Sequence, residues 1–137
     1  MWKYYALLSA LFAALTAVLA KVGVGGIGGN VATAVRTAVV LALAWAIVIV
    51  GGQWREIGTL SQRHWFFLIL SGLATGGSWL FYFKALETGE VAKVAPLDKL
   101  SVVLTMLLAF VFLRETVEVK TLVGGLLITL GAIIIAW

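Results

Sequence analysis

The sequence has no cysteine, one proline, one histidine and little charge, with 12% of its 137 residues being Asp, Glu, Lys or Arg. Without cysteine there is no disulfide framework, no thiolate metal site and no cysteine nucleophile. A single His64 does not make a metal site within one chain. The scarcity of charge leaves almost nothing polar to build a water-facing surface, which excludes a soluble globular domain. The ten Lys and Arg residues, against six acidic ones, give a net charge of +4. They are scattered in ones and twos, without the clustered stripe that phosphate binding uses, so nucleic acid is not an expected partner. No nucleophile–base constellation, metal cluster or phosphate loop is present, so neither an enzyme nor a cofactor is expected.

What the chain does have is hydrocarbon: 63% hydrophobic residues and a mean hydropathy of +1.12. Soluble domains are nearer to half apolar and a quarter charged. Several apolar runs approach the ~20 residues needed to cross ~30 Å of bilayer core. The expected fold is therefore all-α, a polytopic integral membrane protein with a single five-helix domain over residues 1–137. Its spans are placed at Tyr4–Val22, Val31–Val50, Trp65–Leu86, Val91–Leu113 and Thr121–Trp137. Lys3, the apolar run and "VLA" before Lys21 also resemble a signal peptide, but four further spans follow and no secreted domain does, so cleavage is not expected. The connections read as short turns: "GVGGIGGN", "GGQWREIGTLSQRH", "TGE" and "RETVEVK". Gly23, Gly25 and Gly28 formally match GxGxxG. A dinucleotide fold requires a preceding strand and a later acidic residue; here a spanning helix precedes and "ALAWAIVIVG" follows, so the match is rejected.

Orientation is normally read from excess Lys and Arg on the cytoplasmic face. Lys3, Arg55, Arg63, Arg114 and Lys120 fall on the face of the N-terminus, and Lys21, Arg36, Lys84, Lys93 and Lys99 on the other: five against five. A chain without bias inserts both ways, and oppositely inserted copies pair around an axis in the membrane plane. An odd number of spans fits that arrangement, because a tandem copy would insert inverted. The alternative is one orientation fixed by details outside the tally.

Polar residues inside the spans are the candidate site. Ser71, Thr75, Ser78 and Tyr82 share one face of the third span with Trp79 beside them, and Asp98, Ser101 and Thr105 follow i, i+3, i+7 on the fourth. The bland role of such stripes is helix packing, which also accounts for Gly72 and Gly76, for Gly124 with Ile128 and Gly131, and for Thr121, Gly125 and Thr129; the fifth span is the expected dimer-contact helix. Arg36 and Lys84 lie near enough to span ends to snorkel or to face a cavity. Asp98 and Lys99 lie deeper, about 10 Å along the fourth helix at 1.5 Å per residue, where an ion needs a partner or water. Pro96 cannot donate a helical hydrogen bond and frees the carbonyl of Ala92 at that level, predicting a kink.

The run "FYFKALETGEVAKVAPLDKLSVVLTMLLAFVFLRETVEVKTLVGGLLITLGAIII" resembles the EamA-type repeat of the drug/metabolite transporter superfamily. It has an aromatic-rich third helix ending in Ala85 and Leu86, Pro96 in the fourth, and Phe112, Leu113 and Glu115 closing it before a Gly-rich fifth helix. The resemblance extends over the whole chain, which looks like one of the two inverted repeats that most members fuse. It implies a ten-helix bundle rebuilt by a homodimer, with a cavity lined by the first, third and fourth helices. Arg114 departs from the pattern, which favours a small residue there, and adjacent charges such as Asp98 and Lys99 are not general in the superfamily, so substrates do not carry over.

The expected function is a secondary transporter of a small anionic or zwitterionic metabolite in a prokaryotic inner membrane. It works by alternating access in an antiparallel homodimer, with the lipid bilayer and the small molecule as its other partners. Asp98, Lys99, Ser101, Thr105, Trp79, Tyr82, Ser78, Arg36 and Lys84 are the expected substrate or ion contacts. Asp98 either pairs with a cation or takes up the coupling proton. Two alternatives stay open: export of cationic drugs, against which the first span offers no acid, and a non-transporting subunit of a larger complex.

Overall fold

The computed structural model describes residues 1–116 and 118–137. Among the described residues every regular element is helical: α1 (Trp2–Gly23), α2 (Gly29–Val50), a 3-10 helix (Gln53–Thr59), α3 (Gln62–Thr88), α4 (Val91–Asp98), α5 (Leu100–Leu108), a π-helical turn (Ala109–Leu113) and α6 (Val119–Ala136). Five helical stretches are long and apolar enough to cross a membrane, with α4, α5 and the π turn forming the fourth, Val91–Leu113. The expected spans therefore all appear, with ends shifted by up to three residues: α3 starts at Gln62 and α6 at Val119. Few large side chains are buried, Phe83 and Leu86 foremost, while leucines, isoleucines and phenylalanines along every span are exposed. Such surfaces are compatible with hydrocarbon or with another apolar protein face, and not with water.

The fourth span is not one continuous α-helix. α4 ends at Asp98 and α5 begins at Leu100, with Lys99 between them. Around this point the bonding tightens to i→i+3: the Lys99 N–H donates to Pro96 O at 3.0 Å and the Val102 N–H to Lys99 O at 3.0 Å. Pro96 lies inside α4; its ring removes a donor and crowds the preceding turn, and tighter turns are a common way to absorb that defect. The span then widens into the π turn and stops at Arg114, whose φ of 54° and ψ of 31° lie in the left-handed region. Helices commonly end this way at glycine, because a Cβ costs about 1–2 kcal/mol there. This explains why a small residue is favoured where this chain has Arg114.

The chain divides into two compact units, Val22–Glu87 and Met1–Lys21 with Thr88–Trp137. In the first, α2 ends in a Gly51–Gly52 turn, where Gly52 takes a φ of 71° that suits glycine, and leads into the 3-10 helix. α3 opens with a reciprocal cap: the Ser61 N–H donates to His64 Nδ1 at 3.2 Å, and the His64 N–H to Ser61 Oγ at 3.4 Å. The close contact of α2 with α3 is at Gly29, where a Cβ would lie 3.1 Å from the Phe83 carbonyl carbon and 3.2 Å from the Lys84 nitrogen. No side chain fits there without moving backbone.

In the second unit α4 and α5 both pack on α6. Gly125 faces Met106, whose sulfur would stand 3.1 Å from an added Cβ. Lys21 Nζ donates to Gly89 O at 2.8 Å, tying the end of α1 to the turn before α4. Beside Gly125 an apolar groove of about 460 Å³ runs between Val103, Met106 and Phe110 on one side and Leu122 and Leu126 on the other.

Candidate functional site

Within the unit Val22–Glu87, Gly29, Thr33 and Arg36 recur at i, i+4, i+7 on α2 and so share one face. Thr33 is buried, and its hydroxyl donates to Gly29 O at 2.7 Å, which satisfies it without a second helix. With no branched side chain at Gly29 to hold the helices apart, Arg36 reaches α3. Its guanidinium stands 4.2 Å from the Trp79 ring centroid and 5.5 Å from that of Phe83. Both distances are within the ~6 Å over which a cation is attracted to an aromatic face. Tyr82 stands edge-on to Phe83, with ring centroids 6.3 Å apart, and its phenol interacts electrostatically with the guanidinium. Arg36 makes no ion pair among the described residues.

The second cluster lies on the fourth span. Lys99 Nζ stands 3.4 Å from Asp98 Oδ2, and the two side chains keep 55% and 37% of their exposure. Neighbouring residues on a regular helix diverge by about 100°, so the pairing is helped by the interruption between α4 and α5. Thr105 Oγ1 donates to Ser101 O at 2.8 Å, and both residues are exposed on α5.

The residues read as a site thus fall into two groups. Arg36, Trp79 and Tyr82 meet, as do Asp98 with Lys99 and Ser101 with Thr105. Ser78 and Lys84 are exposed on α3 and take no part in the ring–cation contacts. Thr75 turns its hydroxyl back to Ser71 O at 2.8 Å. The side of α3 meeting α2 is that of Trp79, Phe83 and Glu87, offset from the hydroxyl stripe.

Sequence reasoning missed Phe83, Gly29 and Glu87. The Glu87 carboxylate accepts the Gly29 N–H, the second residue contact that joins these helix ends. An acid at the positive end of α2 is electrostatically favoured. The only signal was Glu87 at the end of a span beside a Gly-rich connection, which reads equally as an interfacial turn. Among the described residues no cluster of three His, Asp or Glu is placed to hold a metal ion.

The EamA-like transporter family profile matches residues 1–137. A Sinorhizobium protein named as an uncharacterised transporter in the cobO 3′ region is 50% identical over 135 residues, covering 98% of this chain and 96% of its own length. An uncharacterised protein of Methanocaldococcus jannaschii is 31% identical over 85 residues, 61% of each chain. No solved structure matches the chain.

Proposed function

From the premise that the chain belongs to the EamA-like transporter family, a family of membrane transporters and not of enzymes, we propose that it moves a small anionic or zwitterionic metabolite by alternating access of two oppositely inserted protomers. The observation that carries this reading is the Asp98–Lys99 pair, still 37% and 55% exposed, at the interruption of a membrane span. An ion pair open to hydrocarbon is costly, and on a spanning segment it is expected to face water or protein. Interrupted spanning helices are where transporters commonly build their sites.

Substrate sign follows from the charges inside the spans. Arg36, Lys84 and Lys99 outnumber Asp98, which already has Lys99 as its partner. Ser101 and Thr105 follow the pair on α5. On α3, Trp79 and Tyr82 are proposed contacts of their own, an apolar face and a hydroxyl. Asp98 either stays paired with a cation or takes up the coupling proton, and in the second case Asp98→Asn abolishes proton-driven transport.

The inverted arrangement rests on the tied count of basic residues and on the odd number of spans. The proposed location is the inner membrane of a prokaryote, and the proposed assembly is an antiparallel homodimer. Single cysteines at Thr88 and Thr116, in an otherwise cysteine-free chain, report it directly. An impermeant thiol reagent on intact cells is expected to label a fraction of the molecules at both positions. Labelling at one position alone would show a single orientation and end the antiparallel dimer.

A further inference from the structure

We propose that Arg36 is the anchor of a monocarboxylate site, a reading that rests on the transporter function above and narrows its substrate class. The guanidinium is planar, and its central carbon stands 4.2 Å from the Trp79 ring centroid, a separation close enough for the plane to lie on the ring. Its N–H donors radiate within its own plane, so a cation laid on a ring keeps a hydrogen-bonding edge for another group. Asp98 is paired with Lys99, and Glu87 is held on the Gly29 N–H, about two turns of α2 from Arg36. Arg36 itself makes no ion pair among the described residues.

A cation inside a membrane span without a counter-ion is the costly state, and a bound anion relieves it. The fork of N–H donors fits a planar carboxylate through two parallel hydrogen bonds. Charge balance then limits the ligand. The ring cluster contributes one positive charge, so a carboxylate neutralises it, whereas a phosphate dianion or a dicarboxylate brings a second charge, and the neighbouring Lys84 is exposed and takes no part in the ring–cation contacts. The aromatic rings around the guanidinium suit an apolar or weakly polar body behind the carboxylate. A free fatty acid from the bilayer offers the same headgroup as a water-soluble monocarboxylate, and the experiment separates them.

The purified protein is melted by intrinsic fluorescence with lactate, alanine, decanoate, malate, glycerol 3-phosphate or tetraphenylphosphonium, and each compound is then tested for counterflow in proteoliposomes. Stabilisation and counterflow by lactate are expected, and by alanine more weakly, because its ammonium meets no acid in the ring cluster. Arg36→Gln should weaken the apparent affinity roughly tenfold or more, and Arg36→Lys less, because the lysine keeps the charge and loses the fork. If Arg36→Gln melts abnormally without ligand, Trp79→Leu tests the same cluster through loss of the ring that orients the fork.

Malate or glycerol 3-phosphate acting alone would overturn the monocarboxylate class while leaving the transporter reading in place. Decanoate acting alone would overturn a water-soluble substrate. Undiminished lactate or alanine affinity in a folded Arg36→Gln protein would overturn the role of Arg36. Tetraphenylphosphonium as the sole exchanged compound would overturn both readings, and no response to any monocarboxylate would overturn this one.

Discussion

Replacing Gly29 by alanine tests whether the close approach of α2 and α3 positions the Arg36–Trp79 pair. The added Cβ would lie 2.6 Å from Glu87 Oε1, 3.1 Å from the Phe83 carbonyl carbon and 3.2 Å from the Lys84 nitrogen. The carboxylate can rotate aside at the loss of its bond to the Gly29 N–H, a charge-assisted contact of about 1.5–3 kcal/mol. The two backbone atoms cannot rotate aside, so α3 must shift by a few tenths of an ångström, and overpacking of this kind typically costs about 1–3 kcal/mol. Alanine recovers up to ~1 kcal/mol through helix propensity. The net expectation is a destabilisation of about 1.5–6 kcal/mol from these terms, in thermal or denaturant unfolding of detergent-solubilised protein. Glu87→Gln removes the charge and leaves the space unchanged, and should cost about 1 kcal/mol. Gly72→Ala is the control, because nothing lies within 4 Å of a Cβ there. Equal stability of the Gly29→Ala and Gly72→Ala proteins would refute the reasoning.

Three further substitutions probe other parts of the chain. Arg114→Gly removes a Cβ from the left-handed helix stop and should raise stability by up to about 1–2 kcal/mol in the same unfolding assay, less what glycine's freedom in the unfolded chain returns. Pro96→Ala restores the missing donor and should lengthen α4 through Lys99, read as slower-exchanging amides at residues 99 to 102 and as lower transport. At Gly124 and Gly131 an added Cβ meets no atom within 4 Å in the protomer, so Gly124→Ile and Gly131→Ile should leave protomer helicity unchanged while weakening self-association in sedimentation or cross-linking, as expected of a small-residue contact face.

The helices were legible because each is an apolar run of spanning length, and the runs end at glycine clusters or charges that hydrocarbon does not tolerate. Their ends shifted where polar residues still helix at the membrane edge, as Gln62–His64 do once Ser61 and His64 cap each other. The 3-10 helix at Gln53–Thr59 lies in a stretch whose sequence reads as a turn, because "QWREIGT" has no apolar period to announce a helix. The interruption near Pro96 had a visible cause, but its appearance at Lys99 depends on how the turns after a proline redistribute their bonds. The π turn left no mark in "AFVFL"; the trace it did leave was Arg114 at a helix stop.

Site residues were legible one helix at a time. Periodicity groups Ser71, Thr75, Ser78 and Tyr82 on one face of a helix, yet it carries no information about which face meets α2. That choice is made by Gly29, whose missing side chain draws Phe83 close and brings Trp79 under Arg36. The cross-helix pair is a property of two faces and one gap, and a single sequence displays the faces without the gap.

The central claim is that the interrupted fourth span lines a water-accessible transport cavity. Single cysteines at Ser101 and Thr105, with Val103 and Leu107 on the opposite face of the same helix, which lines the apolar groove, as controls, are labelled in reconstituted protein by a small membrane-impermeant thiol reagent. Rapid labelling is expected at 101 and 105, slow labelling at 103 and 107, and protection at the first two by the transported compound. Labelling at 101 and 105 no faster than at the apolar controls would contradict the claim.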